Sequence, residues 1–169
     1  MDFLWLNSWM REFLLRSATL FGVGKAAKAP GTWGTLATVP VVFLLSYLGP
    51  LVYMATVFLM LPLSIVAAEL YEKQAGSHDA KEIVIDEMVG FMITMTWMPQ
   101  TWQAYLAGFC LFRFLDILKP PPIRYFDRRV PGGLGVVLDD VVAGIIANVF
   151  LQLIYSQTPW LGIQNIVFS

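Results

Sequence analysis

Apolar and polar positions along this chain alternate in long blocks. Residues 29–68, 88–112 and 141–169 contain no Asp, Glu, Lys or Arg, and the segments before and between them hold all the charge. A helix needs about 20 mostly apolar residues to cross a bilayer, so the first block has room for two crossings, with Gly49-Pro50 as the turn between them. The pattern predicts five spans, at about 33–48, 51–72, 84–98, 103–119 and 136–156, of which the first and third are short. Ahead of them, residues 2–21 place Leu6, Trp9, Met10, Phe13 and Leu14 on one helical stripe, while Asn7, Arg11 and Glu12 interrupt any spanning run. This segment is expected to lie in the membrane interface as an amphipathic helix. It has neither a basic leader nor a small-residue cleavage site, so it is not expected to be a signal peptide. The expected fold class is therefore all-α, a polytopic helical membrane protein with about five transmembrane helices and an N-terminal interfacial amphipathic helix. No repeat or second domain is visible. One integral-membrane domain is expected over 1–169: an interfacial helix over 1–21, a catalytic helical bundle over 22–156 and a non-cytoplasmic tail over 157–169.

Composition supports the bilayer as solvent. The 169 residues are 57% hydrophobic and 14% charged, against roughly 25% charged in soluble domains, and the mean hydropathy is +0.66. A net charge of −1 offers no basic footprint for nucleic acid. The distribution of charge predicts a topology. Residues 11–32, 73–83 and 119–135 carry ten of the eleven Lys and Arg, while 49–50, 99–102 and the tail from Ser156 carry none. Charged and uncharged connections alternate as five crossings require, which places the charged side in the cytoplasm and the C-terminus outside. Trp97, Trp102 and Trp160 fall at the uncharged ends and Trp5, Trp9 and Trp33 near the charged ones, as expected of two interfacial aromatic belts.

The candidate chemistry lies where charge enters the apolar runs. Asp86 and Glu87 open the third span, Arg113, Asp116 and Lys119 lie along the fourth, and Asp139 and Asp140 open the fifth, each at the cytoplasmic end. Arg113 and Asp116 share a helix face, and Arg113 lies about 9 Å along the axis from Lys119, inside the hydrocarbon edge. Ionisable groups there are costly and need partners. Five carboxylates with few cations point to a further cation, and oxygen donors without clustered His or Cys point to magnesium. Asp86, Glu87, Asp116, Asp139 and Asp140 are the expected ligand set. Neighbours on a helix diverge by about 100°, so one member of each adjacent pair is expected to reach the metal and the other to support it. Asp140, Gly144, Asn148 and Gln152 recur every fourth residue on one face. Asp140 is thus expected to point inward, and Asn148 and Gln152 to make interhelical hydrogen bonds.

Phosphate chemistry is suggested by the entry to the first span. There Lys25, Lys28 and the run over 29–35, with Thr32, Gly34 and Thr35, present backbone N–H groups and hydroxyls at a helix N-terminus. The 119–135 loop adds Lys119 and Arg124 for a phosphate or an anionic headgroup, while Arg128 and Arg129 read as positive-inside charge. A single histidine, His78, excludes sites needing several. Cys110 and Arg113 lack the spacing of a cysteine phosphatase loop, and no Asp-x-Asp pair supports an aspartyl-phosphate intermediate. Metal-assisted attack by water remains.

The runs APGTWGTLATVP (29–40), HDAKEIVIDEMVGF (78–91) and FRFLDILKPPPIRYFDRRVPGGLGVVLDDVVAG (112–144) resemble the bacterial phosphatidylglycerophosphatase A family, from about Gly22 to Asn148. The resemblance implies magnesium-dependent hydrolysis of the phosphomonoester of phosphatidylglycerophosphate at the cytoplasmic side of the inner membrane. It matches the family's acidic motifs at Asp79, Asp86, Glu87, Asp116, Asp127, Asp139 and Asp140 and its basic positions at Arg113, Lys119, Arg124 and Arg128. It casts Asp86, Glu87, Asp116 and Asp140 as catalytic and an anionic phospholipid as the partner. Two alternatives come from other classes. A CDP-alcohol phosphotransferase would need a DGxxAR(x8)GxxxDxxxD pattern, which is missing, and a transporter or assembly protein would need polar residues through the whole bilayer depth. Small residues such as Gly90, Gly108, Ala143, Gly144 and Ala147 permit close helix contacts within one chain or in a homo-oligomer.

Overall fold

The computed structural model describes residues 6–77 and 80–162, apart from the side chains of 126–128. Its regular structure is entirely helical: α1 (Ser8–Ala18), α2 (Pro30–Tyr47), α3 (Pro50–Ala75), α4 (Ile85–Thr94), α5 (Trp102–Leu118), α6 (Ile123–Arg129) and α7 (Gly132–Gln157), with 3-10 turns at Leu20–Lys25 and Pro159–Leu161. Two of these, α3 and α7, are long and apolar enough to cross a membrane. Gly49, at φ 91°, makes the tight turn between α2 and α3, a backbone state that favours glycine, and Pro50 then opens α3 where its missing N–H costs nothing.

The bundle is organised around α7, which packs on α3, α4, α5 and α6. One end gathers the start of α2, the end of α3, the start of α4, the end of α5 and the start of α7. There Glu69 Oε2 of α3 accepts the Gly133 N–H at 2.8 Å, a carboxylate set against the positive N-terminus of α7. The other end gathers Ser46, Gly49, Pro50, Met98 and Pro99 around a shared cavity. The central contact is a close crossing of α4 and α7, where the backbones of Gly90 and Gly144 meet so tightly that a side chain on Gly144 would strike the Gly90 carbonyl. Phe91 and Phe112, fully buried, fill the space beside it with ring centroids 6.2 Å apart. Outward, α2, α3, α5 and α7 expose large apolar side chains such as Phe43, Leu44, Phe58, Leu59, Leu106 and Phe150. In water so extended an apolar surface would drive association, whereas in lipid it is at no disadvantage.

The helices follow the predicted spans closely except for the third. Instead of running over 84–98, the helix stops at Thr94, and turns carry the chain to Thr101. Ten helical residues reach about 15 Å, half the hydrocarbon thickness. The buried carbonyls freed where α4 stops need donors, and α7 supplies them. Asn148 Nδ2 donates to the carbonyls of Thr94 and Thr96 at 2.9 Å each, and Gln152 Nε2 donates to Thr96 at 3.2 Å. Both side chains make the interhelical bonds expected of them. Tyr53 of α3 adds its hydroxyl to the Met92 carbonyl at 2.7 Å.

The N-terminal amphipathic segment is a shorter helix than the predicted 2–21. Asn7 caps it, accepting the Met10 N–H at 2.9 Å, and it buries Leu14, Ser17 and Ala18 while α3 covers that face. Trp9 and Phe13 stay exposed and form an aromatic row with Phe21. Trp33, Trp97, Trp102 and Trp160 are also exposed; Trp5 lies outside the described residues.

Candidate active site

The acidic groups meet because four segments end at the same level. Asp86 and Glu87 occupy the first turn of α4, Arg113 and Asp116 the last turns of α5, Lys119 its C-cap, and Asp139 and Asp140 the junction of the second and third turns of α7. The run Lys119-Pro120-Pro121-Pro122 cannot continue a helix. Lys119 closes α5 in the left-handed conformation, its N–H bonded to Leu115 O at 2.8 Å. Opposite these, Pro30 starts α2 and Gly31 presses against Glu87 and Arg113: a side chain at position 31 would overlap Glu87 Oε1 and come within 2.9 Å of Arg113 Nη1. The first turn of α2 can approach the pair this closely only because residue 31 has no side chain.

These residues line a cleft of about 300 Å³. Arg113 Nη1 lies 2.5 Å from Asp116 Oδ2 and 3.5 Å from Glu87 Oε1, while Lys119 Nζ lies 2.5 Å from Asp139 Oδ2. Asp86, Asp139 and Asp140 are buried, at 7%, 5% and 3% exposure. One oxygen from each of Asp86, Glu87 and Asp140 falls within 4.8 Å of the others, and the same holds for Asp116, Asp139 and Asp140. Asp140 belongs to both sets. Asp86 Oδ1 and Glu87 Oε2 are buried without a hydrogen-bond partner among the described residues. Buried carboxylate oxygens left in that state are costly unless a cation satisfies them, so the donor set fits a hard, oxygen-seeking metal ion.

Neighbouring carboxylates on one helix are expected to diverge, yet here they share the cleft. Both members of Asp86–Glu87 and of Asp139–Asp140 reach it. Neighbours do diverge by about 100° on each helix, but α2, α4, α5 and α7 close around the cleft, so two directions lead into the same space. The phosphate-binding set divides differently. Arg113 and Lys119 line the cleft with Gly31, whereas Thr32, Gly34, Thr35 and Arg124 do not. Gly34 packs on Val84, the Thr35 hydroxyl donates to the Gly31 carbonyl at 2.9 Å, and Arg124 is exposed. His78 and Asp79, and the side chains of Asp127 and Arg128, lie outside the described residues. Lys81 lines the cleft unforeseen; a lysine in a charged loop looks like topological charge, and only its position five residues before Asp86 hinted otherwise.

The ion pair at the centre makes a test. Arg113→Gln leaves the half-buried Glu87 and Asp116 carboxylates without their shared cation and is expected to cost roughly 3–5 kcal/mol of stability in detergent melts. Combining Arg113→Asp with Asp116→Arg is expected to restore the fold without restoring activity. Recovered activity would confine Arg113 to holding helices together.

The chain is thus an all-helical bundle with two helices long and apolar enough to cross a membrane and, at one end, a buried carboxylate centre that could hold a metal ion. The chain belongs to the phosphatidylglycerophosphatase A family, which it matches over residues 16–155. Phosphatidylglycerophosphatase A of Escherichia coli (strain K12) is 42% identical over 144 residues, covering 85% of this chain and 83% of that protein. Phosphatidylglycerophosphatase A of Haemophilus influenzae is 46% identical over 129 residues, covering 75% and 79%. No solved structure matches the chain.

Proposed function

We propose that this protein hydrolyses the terminal phosphomonoester of phosphatidylglycerophosphate, releasing phosphatidylglycerol and inorganic phosphate, with magnesium held by Asp86, Glu87, Asp116, Asp139 and Asp140. Family membership and the names of its relatives supply the reaction. The observation that carries the site is Asp140, common to two sets of converging carboxylates beside Arg113 and Lys119. The chain forms one integral-membrane domain of five crossings in the bacterial inner membrane. Positive charge at the site end supports a cleft on the cytoplasmic face and a C-terminus outside. The segment from Ile85 to Thr101 completes its crossing partly as turns, supported by the α7 amides.

Bound by these carboxylates, magnesium would supply Lewis-acid polarisation of the phosphoryl group and activation of a water. The residues of the chain do the rest. Arg113 and Lys119 offset charge on the equatorial phosphoryl oxygens as it redistributes, which is most of what phosphoryl transfer requires. The first N–H groups of α2, brought close by Gly31, add positive dipole to the same space. Water oxygen bonds to phosphorus, the bond from phosphorus to the glycerol oxygen breaks, and a proton passes to the departing alkoxide from a carboxyl group or water in the cleft. The acyl chains stay in lipid beside the exposed apolar helix faces.

The deciding experiment is phosphate release by purified protein in detergent, with magnesium or with chelator, using phosphatidylglycerophosphate beside phosphatidic acid. Magnesium-dependent release from the former is expected. No release from either by folded protein would return the carboxylates to a structural role.

A further inference from the structure

A second cavity adjoins the catalytic cleft. It has a volume of about 390 Å³, and Pro30 and Lys81 belong to the walls of both. Its other polar groups are Lys25, Tyr71 and Glu82. The loop that carries Lys25 is seated firmly on the segment that carries Lys81. The Val84 N–H donates to the Ala18 carbonyl at 2.9 Å, and Gly24 sits so close to the Glu82 carbonyl that no side chain would fit there. Leu20, Phe21 and Gly22 take up the positive-φ backbone that this path demands, a cost that persists only where the surroundings over-determine it. Among the described residues neither lysine makes an ion pair within the chain. Lys25, Lys81 and Glu82 thus line one depression next to the cleft, two cationic residues to one acidic.

The proposed substrate carries two phosphates: the terminal monoester, which must enter the cleft, and a phosphodiester one glycerol away, which joins the headgroup to the lipid. We propose that the cavity lined by Lys25 and Lys81 binds this internal phosphodiester and so selects lipids that carry both phosphates. The proposal rests on the phosphatase reading and adds a specificity subsite to it. Lys81, on the shared wall, stands between the two phosphates, while Lys25 addresses the diester alone. Phosphatidic acid has only the phosphate that must react and gains nothing from the second cavity.

Lys25 is exposed and off the catalytic cleft, so Lys25→Ala is not expected to disturb folding. In full-length protein with magnesium it is expected to raise KM for phosphatidylglycerophosphate about fivefold with kcat within twofold, the mark of binding lost equally from ground and transition states. Lys25→Arg should restore KM. Arg11→Ala, which removes an equally exposed charge from the outer face of α1, should leave it unchanged. Calorimetric binding of phosphatidylglycerol, which keeps the diester and lacks the monoester, should weaken by the same factor in Lys25→Ala. An unchanged KM, a fall in kcat instead, or an equal rise in KM from Arg11→Ala would overturn the subsite. Should the wild-type protein release no phosphate while Lys25→Ala still weakens phosphatidylglycerol binding, the subsite would stand and the phosphatase reading would fall.

Discussion

Replacing Asp140 with asparagine is expected to lower turnover of phosphatidylglycerophosphate roughly a thousandfold or more and to leave the protein folded. Both groups of carboxylates that come within ligand distance of one another include Asp140, so its loss removes a negative donor from each at once. Asparagine keeps the shape and one acceptor oxygen, and it relieves the crowding of like charge with Asp86, Glu87, Asp116 and Asp139. Stability should therefore hold or rise while activity falls. The check is kcat against magnesium concentration, alongside a melting curve in the same detergent. A variant with near-normal kcat would remove Asp140 from the metal. A variant that loses activity by unfolding would make it structural.

A loss of stability and activity together is expected at Gly144. Its α-carbon hydrogens face the Gly90 backbone, and an added β-carbon would come within 3.1 Å of the Gly90 carbonyl carbon and nearer still to its oxygen. A flexible side chain could move aside, but a helix backbone cannot, so α4 and α7 would have to separate. Gly144→Val is expected to cost roughly 3 kcal/mol and to abolish activity through position alone, because α4 holds Asp86 and Glu87 and α7 holds Asp139 and Asp140. Detergent melting and phosphate release should fall together. An active Gly144→Val protein of wild-type stability would mean that the two helices do not cross where described.

Much of this arrangement was legible in the charge pattern. Charge-free runs have a simple physical cause, since ionised groups are excluded from hydrocarbon, and they locate α2, α3, α5 and α7 within a few residues. The place where α4 stops was not legible. Its end is held by amide groups of Asn148 and Gln152, more than fifty residues later, and no local stop signal precedes Thr94. The acidic end of the bundle was visible because five carboxylates at the margins of apolar segments need a common explanation. Which of them converge was not visible, since helical angle describes one helix and the cleft is enclosed by four segments. Thr35 and Gly34 show the opposite error. A Gly-Thr-rich entry to a helix looks like an anion cradle, yet Thr35 is occupied by the Gly31 carbonyl and Gly34 by Val84. Of the run over 29–35, Ala29, Pro30 and Gly31 line the cleft and the rest do not.

The central position of α7 bears on how the protein is made. It is the last long helix in the chain, and it supplies two of the five carboxylates, the cation-paired Asp139, the surface that receives Gly90 and the amides that finish α4. A chain that extends only from α1 to α5 carries Asp86, Glu87 and the Arg113–Asp116 pair with no helix to close over them. The five carboxylates can therefore converge only once α7 has packed against the helices that precede it.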